Sequence, residues 1–376
     1  MLQPKHTTKI TIIGFGNLMQ SLFPYLIRYY KKDNLAGFVN ATTADKDLLD
    51  DLKKNFPIKF YYKENLKALK TLEPDIIFFA PPPNIASELI KEDLKQYITY
   101  SSKKKIIIPD IYAFPPIPNV EFYQSELGDQ VNVVTILPND IRAANGRLLL
   151  YAGTTFCTFS DSWSESNKNR LEAIITPFGH IEVFNSNEIL PILASRVIIT
   201  GFAYFLVEIS IIWSQYRFNL SHKKISNFIR HRFAQRTGYE IYKDISSDQE
   251  FLESPADFFF DSILSGWLSG AINYTIKQGF SEEKTKRIIY QMMDLILLFA
   301  QEEDTHVIYT HFTTLATKGG LLEKCMTLIT NQLLPDMIKM TNNVLADEFI
   351  GFQKKLEKKI NDFAEQVLIH AIKLLV

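Results

Sequence analysis

Residues Lys9 to Met19 read KITIIGFGNLM, and the fold is decided by how that stretch has to turn. The β-branched run up to Ile13 is too short and too uniformly apolar for an amphipathic helix and predicts a strand buried on both faces. Two glycines then follow one residue apart. Gly14 suits a tight turn, and Gly16 leaves the backbone bare where an anionic group can approach the start of the next helix. From Met19 to Tyr30 the pattern is helical. Strand, glycine turn and helix in this order predict a phosphate-binding corner.

Outward from that corner the first half alternates. Strands are expected at Leu35–Val39, Ile58–Tyr62, Asp75–Ala80, Lys105–Ile108 and Val131–Leu137, and a second helix at Asp45–Asn55. Strands separated by helical stretches predict a parallel, doubly wound sheet of the Rossmann type. The character changes after Glu188. Helical patterns run over Leu190–Gln215, His222–Thr237, Ala256–Gln278, Glu282–Glu302, Gly320–Leu333 and Asp336–Leu375, with Ser281 placed as an N-cap. The expected organisation is a nucleotide-binding domain over 1–188 and an all-α substrate and dimerisation domain over 189–376. The seam Leu356, Ile360, Phe363, Val367 in the last helix suits packing on its own domain or on a second subunit.

Composition removes several function classes. Lys plus Arg number 41 against 42 for Asp plus Glu. That balance gives no electrostatic reason to expect nucleic acid or an anionic membrane as partner. The two cysteines, Cys157 and Cys325, stand far apart with no metal-ligand spacing, so neither a disulfide framework nor a zinc site is expected, and a reducing, cytoplasmic setting is. The opening residues do not read as a signal peptide. The apolar run Ile189–Trp213 is long enough for a membrane span but carries Arg196 and Glu208, which favours a buried helix. His306 and His311 are five apart beside Glu302, Glu303 and Asp304. That spacing does not put them on one helix face, and no metal is assigned.

Cofactor choice in such a domain rests on the end of the second strand. A carboxylate there accepts from the ribose hydroxyls and repels a 2′-phosphate. The sequence offers Asn40, Thr42, Thr43 and Lys46 instead, which favours NADP(H) over NAD(H). Asp45 argues the other way unless it begins the next helix. Gly14, Phe15, Gly16, Asn17 and Leu18 are the expected diphosphate contacts, with Met19 standing where the usual fingerprint has a third glycine.

Several short motifs, in order, resemble the pyrroline-5-carboxylate reductase family: Gly14 to Leu18, Asn65, Ala80-Pro81-Pro82-Pro83-Asn84, Pro138-Asn139, Ala152-Gly153, Thr200-Gly201-Phe202-Ala203-Tyr204, and Ala316 to Glu323. The resemblance implies reduction of a small cyclic imine by hydride transfer. It places Asn65 near the adenosine ribose and Ala80, Pro81 and Pro82 under the nicotinamide half. It also implies Thr200 and Tyr204 as candidate proton donors. In the last motif Thr317, Lys318, Gly319 and Gly320 would hold a substrate carboxylate, and Leu322 replaces the family's threonine near the imine. Lys318 and Phe202 replace prolines, and residues 208–255 and a further C-terminal helix are additional. Two other functions stay open: a hydroxy-acid dehydrogenase of related architecture, disfavoured because Arg196 and no lysine opens the helical domain, and a non-catalytic dinucleotide-binding scaffold. The expected partners are a small-molecule substrate and a second copy of the chain.

Overall fold

A computed structural model describes residues 8–30, 35–138, 154–176, 180–188, 191–193, 269–289, 321–333, 335–336 and 349–373. They fall into two compact units, divided near residue 189.

The first unit is built on one sheet. Its strands are β1 (Ile10–Ile13), β2 (Val39–Thr43), β3 (Lys59–Tyr62), β4 (Ile76–Phe79), β5 (Asp110–Ala113), β6 (Val133–Pro138), β7 (Thr154–Phe159) and β8 (His180–Val183), in the spatial order β3-β2-β1-β4-β5-β6-β7-β8. Pairings from β3 through β6 are parallel, which gives the expected doubly wound topology. The chain lays down β1, β2 and β3 in one direction, then crosses back to place β4 against the other side of β1. At that reversal the connections after β1 and β4 leave toward different faces, and a crevice opens at the strands' C-terminal ends.

Both faces are covered, which is why the central strands are buried at every position and mostly apolar. On one face α1 (Asn17–Tyr30) and α3 (Lys46–Asn55) enclose edge-to-face rings of Phe15, Phe23, Phe56 and Phe60, with centroids 5.0–5.5 Å apart for most pairs. On the other, α4 (Asn65–Leu72), α6 (Lys95–Lys104) and α7 (Val120–Leu127) pack Leu69, Tyr97, Ile98, Val120 and Tyr123 against Ile13, Ile77, Phe79 and Ile111. The helix α5 (Pro83–Leu89) runs into α6 through a π turn at Ile90–Leu94, whose Ile90 and Leu94 are fully buried. A final helix, α8 (Glu165–Ile175), follows β7.

Three expectations are corrected. Leu35–Val39 is not a strand. Leu35–Phe38 forms a short helix, α2, and pairing begins at Val39, opposite Ile10, because the β-branched residues that suit a ladder are Val39, Thr42 and Thr43. Lys105–Ile108 is a connection. Lys105 caps α6 in the left-handed region (φ 57°), Ile107 is 71% exposed, and the strand starts beyond Pro109. Finally, the sheet is not wholly parallel: β7 runs antiparallel to β6, and β8 parallel to β7.

In the second unit residues 269–277 and 282–289 are helical, with the Ser281 hydroxyl accepting from Lys284 N at 3.3 Å as the expected cap. Helix Leu321–Leu328 continues into a π turn at Ile329–Leu333 and packs against helix Phe349–Lys373. Phe363 and Val367 of the seam are buried within the chain. Of the run Ile189–Trp213 only 191–193 are described, and they are helical; the helices expected over 194–268 and 290–320 lie outside the described residues. No described helix is long and apolar enough to cross a membrane.

Candidate functional site

The corner after β1 is fixed by contacts that only glycine permits. Gly14 has φ +88°, and a Cβ on it would lie 2.6 Å from the Ala80 carbonyl oxygen and 2.9 Å from Pro81 N. The β4–α5 connection therefore presses directly on the glycine. Ala80 N donates to Ile13 O at 2.8 Å, and Gly14 N is 3.4 Å from Thr42 Oγ1. Gly16 is the opposite case. It is exposed, and a Cβ there would meet nothing within 4 Å. One glycine makes room for protein and the other leaves room outside it.

The backbone donors at this corner divide in the same way. Phe15 N donates to Thr42 O at 2.9 Å and Gly16 N to Gly14 O at 3.0 Å, so both are spent. The helical ladder starts with Gln20 N bonding Gly16 O at 3.0 Å. The N–H groups of Asn17, Leu18 and Met19 precede it, and helix geometry gives them no acceptor of their own. Asn17 and Leu18 are exposed, whereas Met19 is 1% exposed and fills the position a third glycine would hold. Phe15, expected as a diphosphate contact, has its ring in the aromatic core and its N–H committed to β2.

Across the crevice the chemistry differs. Ala80 is followed by Pro81, Pro82 and Pro83, with Pro82 capping α5 and Pro83 in its first turn. Prolines have no N–H, so this wall presents ring methylenes and carbonyls. Pro81 is buried, and Pro82 and Pro83 are exposed. Donors aligned with a helix axis face one way and a donor-free, apolar wall the other. That arrangement suits a ligand with an anionic middle and a flat, weakly polar end.

The ribose end is arranged differently from the expectation. Asn40 and Thr42 do not stand at the end of β2 but inside it, 3% and 2% exposed. The Asn40 amide donates to Ala68 O at 2.9 Å, tying α4 to the sheet, and Thr42 supports the glycine turn. Thr43 ends the strand. Its Oγ1 accepts from Asp45 N at 3.1 Å and its carbonyl from Lys63 N at 3.0 Å. Asp45 is the N-cap of α3: its carboxylate accepts from Asp47 N and Leu48 N at 2.9 and 3.0 Å. Asn65 opens α4, and its amide donates to Asp93 on the π turn at 2.8 Å.

Sequence reasoning missed Lys63. It sits just past β3 with φ 53°, on the same rim as Thr43 and Ala44. The register offered a clue, since a parallel neighbour to a strand ending at Thr43 must end near Tyr62.

Of the remaining expected residues, Leu322 lies in the first turn of helix Leu321–Leu328 and is half-buried. Thr200, Tyr204, Thr317, Lys318, Gly319 and Gly320 lie outside the described residues. Among the described residues no group of His, Cys, Asp and Glu is placed to hold a metal ion.

No family model matches the chain, and no curated protein sequence does. Solved structures similar in outline include a Plasmodium falciparum pyrroline carboxylate reductase with NADP bound (12% identity, 96% of this chain and 99% of that one, TM-score 0.38). A Coxiella burnetii pyrroline-5-carboxylate reductase is 16% identical over 95% and 98%, TM-score 0.38. The prephenate dehydrogenase of A. aeolicus, in complex with NAD+ and hydroxyphenyl propionate, is 11% identical over 94% and 96%, TM-score 0.39. At such overlaps the likeness speaks to neither substrate nor reaction. The Rossmann-type assignment rests on the strand order itself.

Proposed function

We propose that this chain is an NADP(H)-dependent oxidoreductase that reduces a small cyclic imine of the pyrroline-5-carboxylate type. The observation that carries the reading is the crevice where the strand order reverses, with an unobstructed Gly16 and three backbone donors at the mouth of α1. A diphosphate fits there: its charge faces the positive end of the helix dipole and N–H groups that have no other acceptor. The nicotinamide half would lie against Pro81, Pro82 and Pro83, whose lack of N–H groups spares them an unmet donor under an aromatic ring.

When bound, the cofactor supplies the hydride that adds to the carbon of C=N, while the substrate nitrogen takes one proton and ends as an amine. The chain's part is to hold the reacting carbon in line and exclude water. Thr200 and Tyr204 are the residues we assign to the proton. The substrate carboxylate would be held by the N–H groups of Gly319 and Gly320, with Thr317 and Lys318 beside them. That these residues directly precede helix Leu321–Leu328 in the sequence supports this reading. Leu322, apolar in that first turn, favours a substrate with a larger apolar part than the resemblance alone implies. NADP(H) is preferred to NAD(H) because the carboxylate nearest the end of β2, Asp45, is turned into its own helix. Buried free thiols at Cys157 and Cys325 suit a cytoplasmic setting, and we extend the proposal to a homodimer formed through the helical unit.

Calorimetric titration with NADPH, followed by a panel of cyclic imines including pyrroline-5-carboxylate, tests the proposal. Binding with consumption of NADPH supports it. Binding without consumption across the panel would leave the non-catalytic scaffold, and no binding would remove the nucleotide site. Gly16→Val is expected to abolish NADPH binding without unfolding the chain.

A further inference from the structure

The rim at the ends of β2 and β3 carries two lysines that form no ion pair among the described residues. Asp45, between them, forms no ion pair with either; its Oδ1 accepts two backbone N–H bonds at the start of α3. By contrast Lys67, on the first turn of α4, binds Glu64 at 2.9 Å. Lys46 and Lys63 form no ion pair with a described residue, and both are exposed. Lys63 Nζ lies 5.5 Å from the centroid of the Tyr62 ring, an uncharged partner that leaves its charge unneutralised.

The backbone holds Lys63 beside the end of β2. Lys63 N donates to Thr43 O at 3.0 Å, and Lys63 adopts φ 53°, a left-handed conformation that costs a lysine about 1 kcal/mol or more. On the other side of Thr43, the short side chain of Ala44 leaves the rim open before Lys46. The strand end is therefore flanked by two lysines, one just past β3 and one opening α3, with Oδ1 of the intervening Asp45 capping that helix.

We propose that Lys63, with Lys46, is the specificity determinant of the nucleotide site and recognises a phosphate monoester on the adenosine 2′ position. This inference rests on the dinucleotide reading above and adds what selects the phosphorylated form. A 2′-phosphate presents two negative charges to exposed ammonium groups. The contact is therefore screened by salt, whereas a bare ribose diol makes no such contact.

The test is calorimetry of the full chain with NADPH, NADH, 2′,5′-ADP and 5′-AMP, on wild type and Lys63→Asn. Asparagine tolerates the left-handed backbone, so this variant removes the charge without adding strain. The expected result is a loss of about tenfold in NADPH and 2′,5′-ADP affinity, with NADH and 5′-AMP changed less than about twofold. Lys63→Arg should retain the preference, and Lys67→Ala, which removes a lysine already paired, should leave it untouched. Raised salt should weaken NADPH in wild type more than in Lys63→Asn. Equal changes for NADPH and NADH, or none, would overturn the role of Lys63 while the nucleotide site stands. Failure of wild type to bind any of the four ligands would overturn both.

Discussion

The two rims of the sheet are built on opposite terms. At the N-terminal rim the starts of β1, β4, β5 and β6 are tied to their neighbours through side chains and backbone. Lys9 N donates to Asp75 Oδ2 at 2.7 Å, and Asp110 N to Asp75 O at 3.0 Å. The Asp110 carboxylate, 3% exposed, accepts from Asn132 at 2.9 Å and pairs with Arg170. Val133 is held at both ends, its N–H by Ser160 Oγ at 3.0 Å and its carbonyl by the Trp163 indole at 2.6 Å. At the C-terminal rim the chain uses glycine and proline, leaves helix donors unspent at α1, and leaves Lys46 and Lys63 without an ion pair among the described residues. A polar group that finds its partner inside the fold contributes to stability; one left unmatched at the surface is available to a ligand. The contrast separates the part of the molecule that holds the sheet from the part that can bind.

The sharpest way to break this comparison lies within the glycine turn, where the two terms meet one residue apart. Gly14→Ala forces a side chain into a left-handed position and against the Ala80 carbonyl. The expected loss of unfolding free energy in urea titration is about 4 kcal/mol, combining backbone strain with overpacking. Gly16→Val meets open space, so its stability should stay within about 0.5 kcal/mol of wild type while NADPH binding disappears. Similar losses of stability at both positions would mean that Gly16 also serves the fold, and the division between the rims would fail at its clearest point.

The next largest effect is expected at the opposite rim. Arg170→Met leaves the buried Asp110 carboxylate with Asn132 alone, a cost of about 3 kcal/mol given that the guanidinium is partly exposed. Nucleotide affinity of the folded variant should equal wild type. Adding Asp110→Asn to Arg170→Met should recover part of the loss, because the unpaired charge is then gone. An affinity change in Arg170→Met beyond about twofold would show that the rims are coupled.

What the sequence made legible follows the same division. The glycine corner was readable because backbone conformation there depends on residue type alone: Gly14 needs φ +88°, and Gly16 needs an absent side chain. The buried strands Ile10–Ile13 and Ile76–Phe79 were readable because a doubly covered strand is β-branched or aromatic and, Thr11 apart, apolar. The ribose end was misread through a boundary. Placing the second strand at Leu35–Val39 made Asn40, Thr42 and Thr43 look like its exposed end, whereas they lie within the strand and serve the fold. Polar type alone does not tell a buried polar residue from a binding one. Lys63 was invisible for a related reason: its importance comes from lying beside Thr43, which only the pairing of β2 with β3 establishes. Strands β7 and β8 were missed because Thr154–Phe159 mixes threonines with aromatics in a pattern without clean periodicity.

Between the rims, Thr11 in the middle of β1 offers the smallest effect and the finest test. Its hydroxyl is fully buried without a hydrogen-bond partner among the described residues, and so is Asn40 Oδ1, on the residue directly in register with it on β2. Side chains in register on parallel strands point to the same face of the sheet, here the face covered by α4, where the Asn40 amide already donates to Ala68 O. Two acceptor-bearing groups left unmatched side by side are an expense in a region that has neither the paired charges of one rim nor the exposure of the other. Thr11→Val keeps the shape and removes one of them, so stability should hold or rise by up to about 1 kcal/mol in urea titration. A loss of more than about 1 kcal/mol would reveal that Thr11 and Asn40 share an internal water, and that the sheet's centre is satisfied as fully as its N-terminal rim.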